Sequence, residues 1–227
     1  MCDPHIEHVD EYLALAKAAG GTIGHVFETH VQADHLSGAL ELVRRSGARI
    51  YLHEAAEAHF PHVDLRDGDE VELGNDYVRV LHTPGHSEDS ICYIVGDRTR
   101  GPDPWFVLTG DTLFVGSAGR PDLHGVEASR RLAGELFDSL ARLMALPADL
   151  EVYPAHFAGS ACGKAMSAKP SSTIGFERRF NDALMPRSKD EFVTFMTTDL
   201  PPQPEEFERI RIVNRGLDMP FTRPTAA

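Results

Sequence analysis

Four short segments of the chain each place histidine or aspartate directly after a predicted β-strand. They are residues 29–35, 83–87, 109–114 and 153–156. Loops that leave strand ends at one edge of an open α/β sheet converge on a shared crevice. A single Gly-Asp pair, or one histidine after Pro-Gly, is usually an ordinary turn or loop residue. Four such segments in one chain predict a single metal site.

The spacing of apolar residues predicts helices and strands that alternate through the first two thirds of the chain. Helices are predicted at residues 7–19, 34–46 and 129–145, and strands at residues 22–28, 49–53, 68–73, 77–82, 90–95, 105–109 and 151–153. From about residue 171 the chain predicts three polar helices, separated by Pro186 and by Pro201-Pro202. We therefore expect one α/β domain over residues 1–227, of which residues 171–227 form a helical C-terminal extension.

Charge and composition narrow the classes of partner. Acidic residues outnumber basic ones 35 to 22, giving a formal charge of −13, and we find no basic run that would attract nucleic acid or an anionic membrane. No apolar run approaches the roughly 20 residues needed to cross a bilayer. The three cysteines, Cys2, Cys92 and Cys162, have no paired spacing. This usage fits a reducing cytoplasm.

The four segments carry the motifs of a known superfamily. The chain reads Thr-His-Val-Gln-Ala-Asp-His at 29–35, Gly-His at 85–86, Gly-Asp-Thr-Leu-Phe at 110–114 and Pro-Ala-His at 154–156. These motifs resemble the metallo-β-lactamase superfamily in its glyoxalase II-like branch, which implies an αββα sandwich. Further segments are most similar to persulfide dioxygenases, including those fused to a rhodanese domain; they lie at residues 118–123, 158–163, 169–181 and 200–204.

The chain departs from the superfamily pattern in three places. Gln32 stands where the first motif has its second histidine. The strands that open the sandwich are expected to be missing before Asp3, which would leave one sheet edge unprotected. No rhodanese domain is expected after Gly216, so a rhodanese-type sulfurtransferase would be a separate partner. A homodimer is the other partner that we consider.

The resemblance implies one Fe²⁺ per chain, held by His30, His86 and Asp111. An amide is a poor transition-metal ligand compared with imidazole, so Gln32 prevents a three-histidine zinc site and leaves the two-histidine, one-carboxylate set of non-haem iron oxygenases. Gln32 itself would lie beside the ligands and hydrogen-bond one of them or a bound water.

The remaining potential ligands of the first and last motifs have two interpretations. In the first, Asp34, His35 and His156 hold no metal and form a polar, catalytic wall opposite the iron. In the second, these three residues bind Zn²⁺ together with Asp111. The sequence favours iron at the first position.

The implied substrates are O₂ and glutathione persulfide, or another small thiol persulfide, which would yield sulfite and the free thiol. An anionic substrate needs local positive charge, for which Arg120 is the first candidate and Lys169 and Arg178 are further ones. Cys162 would either carry a transferred persulfide or be a small buried residue.

Two other functions remain open. A glyoxalase II-like zinc thioester hydrolase would need the three-histidine grip, so Gln32 argues against it. A degenerate member, retained only to bind sulfur compounds, would need no complete metal site.

Overall fold

The computed structural model describes residues 1–157, 160, 162–163, 166–200 and 202–217, without the side chain of Val126. Of the segments singled out above, residues 158, 159, 161 and 201 and the end of the extension, 218–227, lie outside this description. The helices are α1 (Val9–Ala18), α2 (Ala39–Ser46), α3 (Val126–Met144), α4 (Ile174–Phe180), α5 (Lys189–Thr197) and α6 (Glu206–Asn214), with short 3-10 helices at Ile6–His8, Glu54–Ala56 and Asp182–Leu184.

The strands form two main sheets. The strands are β1 (His25–Phe27), β2 (Arg49–His53), β3 (Val63–Leu65), β4 (Glu70–Leu73), β5 (Asp76–His82), β6 (Ile91–Asp97), β7 (Phe106–Gly110), β8 (Leu113–Phe114), β9 (Ser117–Ala118), β10 (Glu151–Pro154) and β11 (Ser172–Thr173). The first sheet is parallel, in the order β1-β2-β3, and the second has the order β11-β10-β7-β6-β5-β4. In the second sheet β7 and β10 are parallel and the other neighbours antiparallel.

Three apolar clusters show how the layers stack. Phe27 and Tyr51 of the first sheet meet Val80 and Tyr93 of the second, so the two sheets pack face to face. On the outer side of the first sheet lie α1 and α2, and α3 and α5 cover the second sheet. The expected αββα sandwich is confirmed. Among the described residues, no helix combines the length and the apolarity that a bilayer span requires.

Most predicted elements are present, and the differences have local causes. The helix predicted from residue 34 begins only at Ala39, because Asp34 and Ser37 use their side chains in tertiary hydrogen bonds. The strand β3 and the two-residue strands β8, β9 and β11 were not predicted, since runs of two or three residues leave no readable alternation.

The edge of β1 that was expected to be unprotected is hydrogen-bonded to the first residues of the chain. Phe27 N donates to Met1 O at 2.9 Å, and Asp3 N donates to Phe27 O at 2.9 Å. A single parallel bridge joins Cys2 to Phe27. Residues 1–3 therefore lie beside β1, at a place where the residue pattern predicts no strand.

A buried polar network explains part of the segment 169–181. Glu177 Oε2 accepts hydrogen bonds from Gly116 N at 2.8 Å and from Asn181 Nδ2 at 2.7 Å, and Oε1 accepts one from Ser172. Asn181 Nδ2 also lies 3.1 Å from Phe114 O. Glu177 and Asn181 are fully buried. The network fixes α4 to the turn between β8 and β9, which continues the loop that begins at Asp111.

We expect Glu177→Gln to lower the free energy of unfolding by about 1–3 kcal/mol, because the amide nitrogen cannot accept and the buried hydrogen bonds to one carboxylate oxygen must be lost or reversed. Urea denaturation measures the change. The matched control is Glu11→Gln on the exposed face of α1, for which we expect a change within about 0.5 kcal/mol. Equal effects of the two substitutions would contradict the role given to the network.

Candidate metal centre

Three predicted ligands converge at one edge of the sandwich. His30 follows β1, His86 follows β5, and Asp111 follows β7. All three are buried, and one donor atom from each lies within 4.8 Å of the others. The structure therefore brings together the two imidazoles and the carboxylate that the sequence predicted as one ligand set.

Neighbouring groups orient both imidazoles. His86 Nδ1 lies 2.9 Å from Arg120 O, which can only accept, so Nδ1 carries the proton. Thr29 Oγ1 donates to Asp3 Oδ2 at 3.0 Å and is left to accept from His30 Nδ1 at 3.0 Å. In both rings this leaves Nε2 with a free lone pair, the usual arrangement for a metal-binding histidine.

Two donor atoms of the cluster are buried without a hydrogen-bond partner among the described residues. They are His86 Nε2 and Asp111 Oδ2, which lie 3.4 Å apart. An unsatisfied buried polar atom costs roughly 1–3 kcal/mol. Burial also lowers the pKa of His86 to about 4, which keeps the ring neutral at physiological pH. A divalent cation coordinated by both atoms would satisfy them, so the residues present fit a metal ion.

The second cluster, Asp34, His35 and His156, is differently arranged. His156 Nε2 contacts Asp34 Oδ2 at 2.7 Å, and its Nδ1 contacts Asp111 Oδ1 at 2.6 Å. Burial opposes protonation of His156, but the two carboxylates outweigh it and raise its pKa to about 11. His35 Nδ1 lies 3.1 Å from Asp34 Oδ1, and His35 Nε2 has no partner among the described residues. Three potential ligands thus meet here too, but two of them already form an ion pair.

Gln32 lies in the ligand loop between these clusters. Its side chain is 1% exposed, and neither its Oε1 nor its Nε2 has a hydrogen-bond partner among the described residues. An amide buried in this way is costly unless a ligand or water satisfies it. Gln32 is therefore a second sign that a polar group belongs in this part of the site.

The three cations proposed for substrate binding lie in different surroundings. Arg120 is 2% exposed, and its guanidinium binds Asp122 through two contacts of 2.7 Å. Arg178 donates to the carbonyl of Met144 at 2.6 Å and so caps the end of α3. Lys169 Nζ lies 5.5 Å from the ring centroid of Phe176. Each of the three cations thus contacts a different partner in the structure.

Cys162 lies against the metal cluster. Its sulfur, an oxygen of Asp111 and a nitrogen of His156 lie within 4.8 Å of one another. Burial raises the pKa of the Cys162 thiol above its usual range, and the carboxylates of Asp111 and Asp34 raise it further. The thiol is therefore protonated, and a protonated thiol is a weak nucleophile.

Two glycines allow the ligand loops to approach their neighbours. A Cβ at Gly85, which has φ +147°, would lie 2.4 Å from Leu136 Cβ on α3. A Cβ at Gly119 would lie 1.9 Å from Asp111 O and 3.0 Å from His86 Nδ1. The backbone beside both His86 and Asp111 therefore requires residues without a side chain.

Two supporting carboxylates were not predicted from the sequence. Asp3 accepts from Thr29 N at 2.8 Å as well as from Thr29 Oγ1, and Asp89 Oδ2 accepts from Val31 N at 2.7 Å. The only sequence signal was that Asp3 precedes a proline and that Asp89 closely follows His86. Neither pattern distinguishes a loop support from an ordinary turn residue.

Two cavities border the site. One of about 220 Å³ is bordered by His35 and His156, and another of about 620 Å³ by His30 and Gln32. The larger one falls within the range of about 300–1,000 Å³ that is typical of small-molecule pockets.

Residues 3–156 match the family model described as metallo-beta-lactamase superfamily. A hydroxyacylglutathione hydrolase of Brucella anthropi is 34% identical over 168 residues, 73% of this chain and 60% of its own length. That of Brucella ovis is 36% identical over 145 residues, 63% of this chain and 51% of its own. The chain thus spans about half to three fifths of these curated relatives.

Solved structures are similar over nearly the whole chain. A metallo-beta-lactamase from Staphylococcus aureus subsp. aureus COL has a TM-score of 0.87 and 31% identity, over 97% of this chain and 67% of that one. ETHE1 from Myxococcus xanthus has a TM-score of 0.80 and 33% identity, over 95% of this chain and 87% of that one. The resemblance to the superfamily and to its glyoxalase II-like branch is confirmed.

We expect the metal-free protein to take up one Fe²⁺ per chain under anaerobic conditions, and His86→Ala to weaken this binding by more than about 10-fold, since it removes a ligand rather than a supporting group. Anaerobic titration followed by elemental analysis measures both quantities. His8→Ala, at the exposed end of the 3-10 helix that precedes α1, is the control and should bind like the unsubstituted chain. Two equivalents per chain would contradict a single-ion site.

Proposed function

The chain belongs to the metallo-β-lactamase superfamily, and from that premise we propose that it is a persulfide dioxygenase with one non-haem iron. The observation that carries the proposal is the ligand set. Two imidazoles and one carboxylate converge, and Gln32 stands where a third histidine would complete a three-histidine zinc site. Such a set leaves coordination positions open for two reactants.

The proposed reaction is balanced without a further reductant. One persulfide anion, one O₂ and one water give one thiol, one sulfite dianion and one proton; the terminal sulfur is oxidised and O₂ is reduced. His30, His86 and Asp111 would hold the iron, which when bound would supply the redox chemistry between O₂ and the persulfide sulfur. The protein's part is to hold the ligands and exclude competing reactions.

The second cluster would act as a proton-bearing wall. His156 carries a proton between the carboxylates of Asp34 and Asp111, so it can hold or release that proton next to a ligand of the metal. His35 presents Nε2 without a partner among the described residues. The amide of Gln32 would hydrogen-bond a bound water or the substrate O₂, and this contact would satisfy the amide atoms that now lack a partner among the described residues.

The proposed substrate is glutathione persulfide or a similar small thiol persulfide. The similarity to hydroxyacylglutathione hydrolases supports a glutathione-type substrate. Arg120, Lys169 and Arg178 remain the proposed cations for it, although Arg120 would have to share its guanidinium with Asp122. Cys162 would lie beside the reacting sulfur, and its protonated thiol disfavours the alternative that it carries a persulfide.

The same proposal covers the domain organisation of the chain, its location and its partners. The helices after residue 171 would be an extension of one domain, since Phe192, Val193 and Met196 of α5 share a core with α3. A cytoplasmic location would fit the three cysteines, which are all free. The proposed partners are a second copy of the chain and a separate rhodanese-type sulfurtransferase.

A zinc thioester hydrolase is the second candidate, because the curated relatives are named hydroxyacylglutathione hydrolases. It would place Zn²⁺ on Asp34, His35 and His156 with Asp111 shared. That arrangement would have to break the contacts of His156 with both carboxylates. Gln32 also argues against the three-histidine zinc site that such a hydrolase would need.

We expect iron-loaded protein to consume one O₂ per glutathione persulfide and to release sulfite, as measured with an oxygen electrode and a sulfite assay. His86→Ala should lower the rate at least about 100-fold, because the metal provides most of the activation. His8→Ala again serves as the control.

The same preparations, loaded with zinc or iron, are then tested on S-lactoylglutathione. Thioester hydrolysis by the zinc form without O₂ uptake by the iron form would replace the dioxygenase with the hydrolase. If the metal-loaded protein shows neither O₂ uptake nor thioester hydrolysis, the result would support a non-catalytic member that only binds sulfur compounds.

A further inference from the structure

The C-terminal helix α6 reaches the ligand loop through one side chain. Asn214, the last residue of α6, donates from Nδ2 to Gln32 O at 3.0 Å and to His35 O at 2.9 Å. Its Oδ1 accepts from Ser37 N at 3.0 Å. One amide therefore binds three backbone groups of a loop that is nearly 180 residues away in the sequence.

These bonds support the second half of the loop, which the first residues of the chain also hold through Ile6 N on Leu36 O and Gly38 N on Pro4 O. The first half is fixed by Thr29 against Asp3 and by Val31 N against Asp89. In the second half, the side chain of Gln32 has no hydrogen-bond partner among the described residues, so its position depends on its backbone. The carbonyl of Gln32 is one of the two that Asn214 binds.

The helix that carries Asn214 is itself anchored to the rest of the site. Phe207 packs in a cluster with Ala33, Phe114 and Cys162, which belong to the ligand loop, the Asp111 loop and the segment after His156. Arg211 of the same helix donates to Leu123 O at 3.2 Å. The helix thus has a fixed position from which Asn214 can act.

We infer that Asn214 is a positioning residue for the metal centre: it holds residues 32–37 in the conformation that lets the loop bind metal. The inference rests on the metal site of the proposed function, but not on its reaction. Without these bonds the backbone at Gln32 and His35 would have more freedom until the ion binds, and restricting it at that moment would reduce affinity. Groups that hydrogen-bond metal ligands directly typically contribute about 10–100-fold to metal affinity, and Asn214 would act through the backbone next to the ligand His30, at the lower end of that range.

The test uses Co²⁺, whose visible absorption reports coordination geometry, with no substrate and no O₂ present. We expect Asn214→Ala to weaken Co²⁺ binding at least about 10-fold and to change the spectrum of the bound ion. Asn214→Asp keeps the acceptor for Ser37 N but places a carboxylate against two carbonyls, so it should behave similarly. It also provides a second variant if Asn214→Ala does not fold.

Arg211→Gln is the matched control, because it removes an anchor of the same helix that does not contact the ligand loop. It should lower the unfolding temperature about as much as Asn214→Ala, with the Co²⁺ affinity and spectrum unchanged. Equal Co²⁺ affinity and spectrum in the Asn214 and Arg211 variants would overturn the inference, and so would a chain that binds no Co²⁺ at all. If the unsubstituted chain binds Co²⁺ but its iron-loaded form consumes no O₂, only the proposed dioxygenase activity is contradicted.

Discussion

The structure depends on burying Asp111 next to two imidazoles. A buried carboxylate is costly unless it is paired and hydrogen-bonded, and Asp111 is buried beside His30, His86 and His156. Burial alone would raise the pKa of Asp111, but the neighbouring histidines, His156 foremost, hold it below its ordinary value. The histidines that follow β1, β5 and β10 must therefore lie near this carboxylate to offset the cost of burying it.

The supports of the site come from segments that are far apart in the chain. The turn at Arg120 orients His86 through a backbone carbonyl, while Asp3 orients His30 through the hydroxyl of Thr29. Glu177 holds the continuation of the Asp111 loop from α4. Each ligand is thus fixed by a residue of a different element, so that the site and the fold are ordered together.

The sequence predicted the parts of the molecule that have a strong local signal. The leucines at 132, 136, 140 and 143 predicted α3, and the histidine and aspartate motifs predicted which loops converge. It failed where tertiary contacts override local preference: residues 34–38 have a helical pattern, but Asp34 and Ser37 form bonds that a helix would prevent. The supports from Asp3 and Asn214 could not be predicted from the sequence, because their partners lie far away along the chain and most of them are backbone groups. Their roles depend only on distance in the folded chain.

For the proposed anionic substrate, the local charge predicts that the metal binds first. Asp34 and Asp111 are carboxylates whose pKa values lie below the ordinary range despite burial, and His156 is an imidazolium, so these three groups sum to −1. A persulfide anion would be repelled by that charge, and the −13 of the whole chain adds no attraction. A divalent ion at His30, His86 and Asp111 changes the local sum to +1, and charges farther away than about 8 Å are largely screened at physiological ionic strength. The metal would therefore supply the positive charge that attracts the substrate, and Arg120, already bound to Asp122, would not have to provide it alone.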